Sequence, residues 1–349
     1  MDEPKINIVN VLLTRKCNLV CSYCRISGDI QYTMKPVEYP DRTFYFNNEK
    51  TKEWWVDIIG RFQKNNPNTF FIIYGGEPFI RDDDLAYIVN FMNRRDIAYT
   101  IISSCNEGIR DRINKFFEKV NFVQGFTASI DPGFFLHEAG KRKDMPLDEI
   151  YKSQTGYATL LELMEKGLVK DPVAEITVIN KTVQYLEETV RILSEQGITS
   201  DITPIDFAHN NYYDFSSVTD PEYLIMPTDE VKATFKRLKE SDYKIHMKSL
   251  LMDKFLEIIP SCGDCEMENG LHNITIEPTG EMRLCLRIRG RKTPKFSAED
   301  IFTECGELSD SFENLFKTML YDKSCLCNGC AWTCVEMSKS DDCEGIINH

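Results

Sequence analysis

The sequence predicts an α/β protein, a partial (β/α)6 barrel followed by a small, cysteine-rich C-terminal domain. Two observations indicate the barrel. Strand-like runs alternate with amphipathic helical stretches, and the runs are mostly apolar, as in a parallel sheet covered by helices. A third observation indicates the second domain, because nine of the 13 cysteines fall within residues 262–343.

Six strands and five helices are predicted in the first 206 residues. The strands are predicted at residues 6–13, 69–74, 98–103, 122–130, 174–179 and 198–205. The helices are predicted at residues 52–63, 84–94, 110–119, 156–166 and 182–196. In β/α barrels the chemistry lies at the carboxyl ends of the strands, so we expect a site among the residues that follow them.

A polar loop at residues 210–227 and two helices, at residues 228–241 and 245–258, are predicted after the barrel. Beyond them one clear hairpin is predicted, at residues 273–277 and 281–287, and residues 298–304 have a helix-like pattern. We therefore predict three units, the last held by metal rather than by an apolar core. They are a barrel at residues 1–227, a helical linker at residues 228–258 and a cysteine-rich domain at residues 259–349.

Composition excludes several classes of protein. The net charge of −14 argues against broad binding to the phosphate backbone of nucleic acids. The chain has no apolar run of membrane-spanning length and no basic-then-apolar N-terminal signal, so we expect neither a membrane span nor secretion. An odd number of cysteines without a signal peptide favours metal or cluster ligation in a reducing cytoplasm over disulfides.

Three cysteines follow the first predicted strand with the spacing C-x3-C-x2-C: Cys17, Cys21 and Cys24. Three thiolates can bind three irons of a four-iron cluster and leave the fourth iron open to a substrate or cofactor. The alternatives are a zinc site or buried free thiols. Structural zinc requires four ligands, however, and this segment supplies three with no histidine nearby.

With Tyr23 before the last cysteine, the segment resembles the C-x3-C-x-aromatic-C signature of radical S-adenosylmethionine (radical SAM) enzymes. A second hallmark of that family, Gly75-Gly76-Glu77-Pro78, directly follows the second strand. Glycines let a backbone approach a ligand closely, and carbonyls or Glu77 can accept hydrogen bonds from an ammonium group. The resemblance implies a SAM-binding [4Fe-4S] cluster and S-adenosylmethionine as cofactor, held by Tyr23 and the Gly-Gly-Glu-Pro segment.

The C-terminal cysteines resemble the SPASM extension of this superfamily, which holds two auxiliary four-iron clusters. Cys265 is followed by 14 residues, Gly280, four residues and Cys285, and the later run reads C-x-C-x2-C-x3-C with shortened spacings. The resemblance implies three [4Fe-4S] clusters in all. The auxiliary ligands would be Cys262, Cys265, Cys285 and Cys334 for one cluster and Cys325, Cys327, Cys330 and Cys343 for the other. The alternative, a zinc ribbon on two C-x2-C pairs, leaves four of these cysteines unexplained.

Further cofactor contacts are implied at the ends of later strands. In the family, polar residues at positions such as Ser103, Ser129 and Asp131 reach the ribose and carboxylate of S-adenosylmethionine, and Ile179 packs on adenine. The alternatives are turn chemistry for the polar residues and a core position for Ile179. Cys105 is either a hydrogen-atom donor to a substrate radical or a buried structural cysteine.

The resemblance implies reductive cleavage of S-adenosylmethionine to a 5′-deoxyadenosyl radical, with flavodoxin or ferredoxin as reducing partner. SPASM members mostly modify peptides by cross-linking, oxidation or epimerisation, as in the maturation of ribosomal peptides (RiPPs). Leu286 stands where formylglycine-forming members have an aspartate, which counts against that reaction. The alternatives are a dehydrogenase of a sugar or aminocyclitol, and a non-catalytic iron–sulfur or zinc protein.

Overall fold

The computed structural model describes residues 6–19, 48–132, 156–178, 182–204, 228–246, 272–283 and 296–310. The strands are β1 Ile6–Leu12, β2 Phe70–Tyr74, β3 Tyr99–Ser103, β4 Val123–Ile130, β5 Val169–Val178, β6 Thr199–Pro204, β7 His272–Ile276, β8 Glu281–Arg283 and β9 Phe296–Ser297. The α-helices are α1 Lys52–Asn65, α2 Asp82–Arg94, α3 Arg110–Phe117, α4 Tyr157–Glu165, α5 Leu186–Glu195 and α6 Asp229–Glu240. None of the helices within these residues is long and apolar enough to cross a membrane.

The described strands form one sheet in the order β6-β5-β4-β3-β2-β1-β7-β8-β9. All pairs from β6 to β7 are parallel, and the last two pairs are antiparallel. The prediction of an α/β protein with a mostly parallel sheet is therefore confirmed. The sequential order of the six N-terminal strands is the order found in a β/α barrel, and it brings their carboxyl ends to one edge.

The helices pack on the sheet through apolar stripes, as α1 illustrates. Its N-cap Thr51 accepts a hydrogen bond from the backbone N–H of Trp54 at 3.4 Å, which satisfies one free donor at the helix start. Trp55, Ile58, Ile59 and Phe62 recur every three or four residues and are all buried. The periodicity that predicted this helix is thus the pattern of its contacts with the core.

Strand β5 begins at Val169, five residues before the predicted start. The sequence Lys170-Asp171-Pro172 is typical of a turn, which explains the late prediction. Pro172 pairs with Phe126 of β4 and has no partner on β6, because β6 joins β5 from Val173 onward. A proline is tolerated there since that part of β5 is an edge and needs no second row of N–H donors.

The predicted C-terminal hairpin is present as β7 and β8, and it extends the sheet. β7 pairs in parallel with β1, with Val11 opposite Ile276. The following segment, residues 296–310, docks on α1: the Asn65 side chain donates to the carbonyl of Gly306 at 2.7 Å and accepts from the N–H of Leu308 at 3.2 Å. This part of the cysteine-rich region therefore continues the architecture of the barrel.

Two predicted helices differ from the structure. Ile245, the predicted start of one helix, forms a parallel bridge with Ser200 and covers the edge of β6. Residues 298–304 form turns rather than a helix, with Ile301 buried and Cys305 exposed. The predicted loop at residues 210–227 and the rest of the helix at residues 245–258 lie outside the described residues.

Candidate functional site

The two N-terminal motifs lie side by side at the carboxyl edge of the sheet. Beyond the last register pair, Leu12 with Tyr74, the backbone pairing of β1 and β2 continues into both motifs. The N–H of Gly76 donates to the carbonyl of Thr14 at 2.7 Å, and the N–H of Glu77 donates to the carbonyl of Lys16 at 2.8 Å. The turn that leads to Cys17 is thus hydrogen-bonded along its length to the Gly-Gly-Glu-Pro segment.

Gly75 and Gly76 are required by this close approach. A Cβ atom on Gly75 would lie 2.4 Å from the carbonyl oxygen of Thr14, and one on Gly76 would lie 2.3 Å from that of Lys16. Real Cβ atoms do not approach a backbone oxygen so closely, so any side chain would push the two segments apart. In the described residues, the close approach that requires these glycines is to the turn before Cys17.

Glu77 is buried and joins the end of β2 to the end of β3. Its Oε1 accepts from the N–H of Phe79 at 3.2 Å and from Ser103 Oγ at 2.9 Å, while its Oε2 accepts from the N–H and Oγ of Ser104 at 3.0 and 2.6 Å. Burial raises the pKa of Glu77, and these four donors oppose that shift. A carboxylate has about four acceptor positions, so this network uses all of them.

The same network reaches the first cysteine motif through two asparagines. Asn18, next to Cys17, donates to Asn106 Oδ1 at 2.9 Å, and Asn106 Nδ2 donates to Ser104 Oγ at 2.7 Å. Asn106 also accepts from the N–H of Gly108 at 2.9 Å as the N-cap of a short 3-10 helix. The turns after β1, β2 and β3 are therefore joined by one continuous set of hydrogen bonds.

Cys105 is fully buried beneath this network. It has a left-handed backbone (φ 52°), and its N–H donates to Ser103 Oγ at 3.0 Å. A Cβ on Gly156, at the start of α4, would lie 2.5 Å from the Cβ of Cys105, so the two backbones are in close contact. Burial, together with the nearby charge of Glu77, raises the pKa of the Cys105 thiol. This environment fits a structural cysteine.

The turn before Cys17 is held on its other side by charged residues from distant parts of the chain. Arg15 forms a buried ion pair with Glu277, which directly follows β7, with Nη2 2.6 Å from Oε2. Thr14 Oγ1 donates to Glu49 Oε1 at 2.6 Å, and Arg81 Nη1 donates to the carbonyl of Leu13 at 2.9 Å. The sequence alone did not indicate these residues, because no sequence pattern links positions so far apart.

A second group of polar residues lies across β4, β5 and β6. Ser129, Glu175 and Asp201 are register partners, and each is only partly buried, whereas Ala128, Ala174 and Ser200 on the opposite face have no exposed surface. Glu175 has no hydrogen-bond or ion-pair partner among the described residues. Its burial and the neighbouring Asp201 raise the pKa of Glu175 to about 7.

His246 lies at the end of this row, with Nδ1 3.9 Å from Asp201 Oδ2. Interaction with Asp201 raises the pKa of His246, although burial opposes the shift. The predicted cofactor residue Asp131 is buried just beyond β4. The predicted cofactor residues Ser103 and Ser129 have different surroundings. Ser103 donates a hydrogen bond to Glu77, whereas Ser129 lies in the row with Glu175.

The donor set for a metal is only partly within the described residues. Cys17 is partly exposed at the end of β1, and its Sγ accepts from the N–H of Leu19 at 3.4 Å, a contact suited to a cluster-bound thiolate. No group of three His, Cys, Asp or Glu side chains in the described ranges is placed to hold a metal ion. The other predicted site residues lie outside those ranges: Cys21, Tyr23, Cys24, Ile179, Cys262, Cys265, Cys285, Cys325, Cys327, Cys330, Cys334 and Cys343.

Comparison with known proteins finds likeness in structure but not in sequence. No family model and no curated protein sequence matches the chain. The structure of SuiB from Streptococcus suis superposes with a TM-score of 0.56 at 13% identity, covering 91% of this chain and 67% of SuiB. anSMEcpe with bound AdoMet and Cp18Cys peptide gives 0.55 at 12% identity, covering 95% of this chain and 88% of that protein. A histidine-tagged form of anSMEcpe with bound AdoMet gives 0.56 at 14% identity, covering 93% and 88%. At these identities the likeness shows a shared fold.

Proposed function

We propose that this chain is a radical S-adenosylmethionine enzyme. The observation that carries the proposal is the hydrogen-bonded pairing of the turn before Cys17 with Gly75–Glu77 at the carboxyl edge of the sheet. This edge is where β/α barrels place their chemistry. The fold itself is shared with a protein whose structure contains bound AdoMet.

The described residues position the segments of the cofactor site and do not themselves supply reactive groups. Gly75 and Gly76 let the two motifs pair closely, and Glu77 fixes the turn after β3 relative to them. Because its four acceptor positions are occupied, Glu77 acts by positioning and leaves the methionine ammonium group to other acceptors, such as backbone carbonyls. When bound, the cluster and S-adenosylmethionine supply a 5′-deoxyadenosyl radical that abstracts hydrogen from the substrate.

The cluster ligands are proposed from the sequence resemblance. Cys17, Cys21 and Cys24 hold the SAM-binding cluster, and the partly exposed position of Cys17 described above supports this role. The eight cysteines at 262, 265, 285, 325, 327, 330, 334 and 343 hold two auxiliary clusters. Electrons come from a flavodoxin or ferredoxin.

The proposed substrate is a peptide, which the enzyme cross-links, oxidises or epimerises. Support comes from the fold shared with anSMEcpe, whose structure contains the Cp18Cys peptide as well as AdoMet. The eight C-terminal cysteines also favour peptide modification, because relatives that act on small molecules often have a shorter extension with one auxiliary cluster. Cys105 is buried, so this proposal assigns it no catalytic role.

The test is anaerobic reconstitution of the full chain with iron and sulfide, followed by S-adenosylmethionine and dithionite. We expect about twelve irons per chain and formation of 5′-deoxyadenosine. Cys17→Ala should abolish the product, whereas the matched control Cys305→Ala, at an exposed turn, should retain it. Cleavage by Cys17→Ala at the wild-type rate, or zinc in place of iron, would contradict the proposal.

A further inference from the structure

The buried ion pair between Arg15 and Glu277 connects two regions that are far apart in the sequence. Arg15 lies two residues before Cys17, and Glu277 follows β7, 262 residues later. Arg15 Nε and Nη2 both contact Oε2 of Glu277, at 3.2 and 2.6 Å. The exposed fractions of the two side chains are 5% and 2%, so the pair is removed from solvent.

Stability alone does not explain a buried ion pair at this place. The regions it connects are already joined by the parallel pairing of β1 with β7, which runs from Ile6 to Val11. Removing two charges from water costs much of the energy that their attraction returns, so an apolar pair of similar size would stabilise about as well. What a charged, directional contact adds is a defined geometry.

The ion pair helps to define the position of the turn before Cys17. One side of the turn is bonded to the Gly-Gly-Glu-Pro segment, through Gly76 to Thr14 and through Glu77 to Lys16. The guanidinium group of Arg15 binds the other side to the end of β7. The turn is therefore fixed between β2 and β7, and its position relative to β7 depends on the ion pair.

We propose that Arg15 and Glu277 are positioning residues that set the first cysteine motif relative to the C-terminal hairpin. The hairpin leads from β7 through β8 to Cys285, two residues beyond Arg283. The ion pair thereby fixes the turn before Cys17 against the hairpin that precedes Cys285 in the sequence, a cysteine proposed above as a ligand of an auxiliary cluster. This inference rests on the proposed function, because it concerns the cluster that Cys17 would hold.

The experiment compares the full-length, reconstituted protein with Glu277→Leu and with the double variant Arg15→Met/Glu277→Leu. The single variant removes the carboxylate that Arg15 contacts inside the protein, and we expect its melting temperature to fall by about 5–10 °C. The double variant removes both charges and should recover most of that loss. The control is Arg61→Met, which breaks an exposed pair with Asp57 on α1 and should leave all readouts unchanged.

The decisive readout is the change in the EPR spectrum on adding S-adenosylmethionine, which reports the cluster that binds it. In the double variant we expect an altered difference spectrum and a loss of up to ~10²-fold in the rate of 5′-deoxyadenosine formation, because a displaced site is misaligned. A double variant with wild-type spectrum and rate would overturn the proposal and leave the pair a purely structural contact. Wild-type protein without any such difference spectrum would instead contradict the proposed function, while the melting temperatures would still report on the pair.

Discussion

Glu77 follows β2 and Glu175 lies in β5 of the same sheet, with β3 and β4 between them, and burial raises the pKa of both. Their surroundings are opposite. Glu77 accepts four hydrogen bonds from the turns after β2 and β3, whereas Glu175 accepts none from the described residues and faces another carboxylate, Asp201. The surroundings of Glu77 are thus fixed by its hydrogen bonds, whereas Glu175 lies beside a second carboxylate that His246 approaches at 3.9 Å.

This difference separates two roles that a carboxylate can have in the site. Around Glu77 the charge organises backbone, because two of its four donors are main-chain N–H groups. Around Glu175 the charge is costly, since like charges on adjacent strands repel each other. Substitutions around Glu77 should therefore damage the fold of the site, whereas substitutions at Glu175 should relieve the repulsion between carboxylates.

The largest effect is expected from Gly76→Ala. The new Cβ would meet the carbonyl of Lys16 at 2.3 Å and that of Arg15 at 2.8 Å, so the two motifs must separate and lose their hydrogen bonds. We expect a loss of about 4 kcal/mol in the free energy of unfolding, measured by urea denaturation under anaerobic conditions. The control Gly60→Ala, inside α1 with no contact closer than 3.6 Å, should be neutral or stabilising. Equal effects at the two positions would refute the steric account.

The next effect is a pH dependence that belongs to Glu175. Its pKa in the folded protein is about 7 against an ordinary value of 4.5, so the folded state retains a proton that the unfolded state has lost. The associated stability is complete below about pH 4.5 and is lost as the pH rises to about 7, a change on the order of 3 kcal/mol. Glu175→Gln should remove this change, while the contributions of Glu77 and His246 remain. The measurement is the urea midpoint of wild type and variant at about pH 5 and about pH 8. The same change in midpoint between the two pH values in both proteins would disprove the assignment to Glu175.

The smallest effect is the contrast between Glu77→Gln and Glu175→Gln at neutral pH. An amide at position 77 presents N–H to groups that already donate, and at least one backbone donor loses its acceptor. We expect a cost of about 2 kcal/mol at position 77 and no cost, or a gain, at position 175. Thermal unfolding of the two variants checks this, and a larger loss at position 175 would reverse the comparison.

The sequence predicted the N-terminal strands mainly because most of them contain apolar residues that lie buried, as Phe71 and Ile73 of β2 illustrate. It also placed Cys17 and Gly75–Pro78 after adjacent strands. It missed the beginning of β5 because Asp171 and Pro172 have the character of a turn, and only the absence of β6 at that level makes them acceptable in a strand.

The supporting residues of the site could not be predicted, and the reason is physical. A hydrogen bond such as that from Asn18 to Asn106, or an ion pair such as Arg15 with Glu277, leaves no periodic pattern in the sequence. The Gly-Gly-Glu-Pro motif indicated that Glu77 matters, but its role follows from the four donors that surround it. These donors are brought together only when β2 and β3 are paired.

The parallel pairing of β1 with β7 also means that β1 is synthesised long before one of the strands it pairs with. At about 5–20 residues per second, the ribosome needs roughly 13–50 s to add the 262 residues from Lys16 to Glu277. During that interval one edge of β1 has no strand beside it, and exposed strand edges can pair with other chains. The turn before Cys17 therefore gains β7 and Glu277 as neighbours only late in synthesis, well after Cys17 itself has left the ribosome.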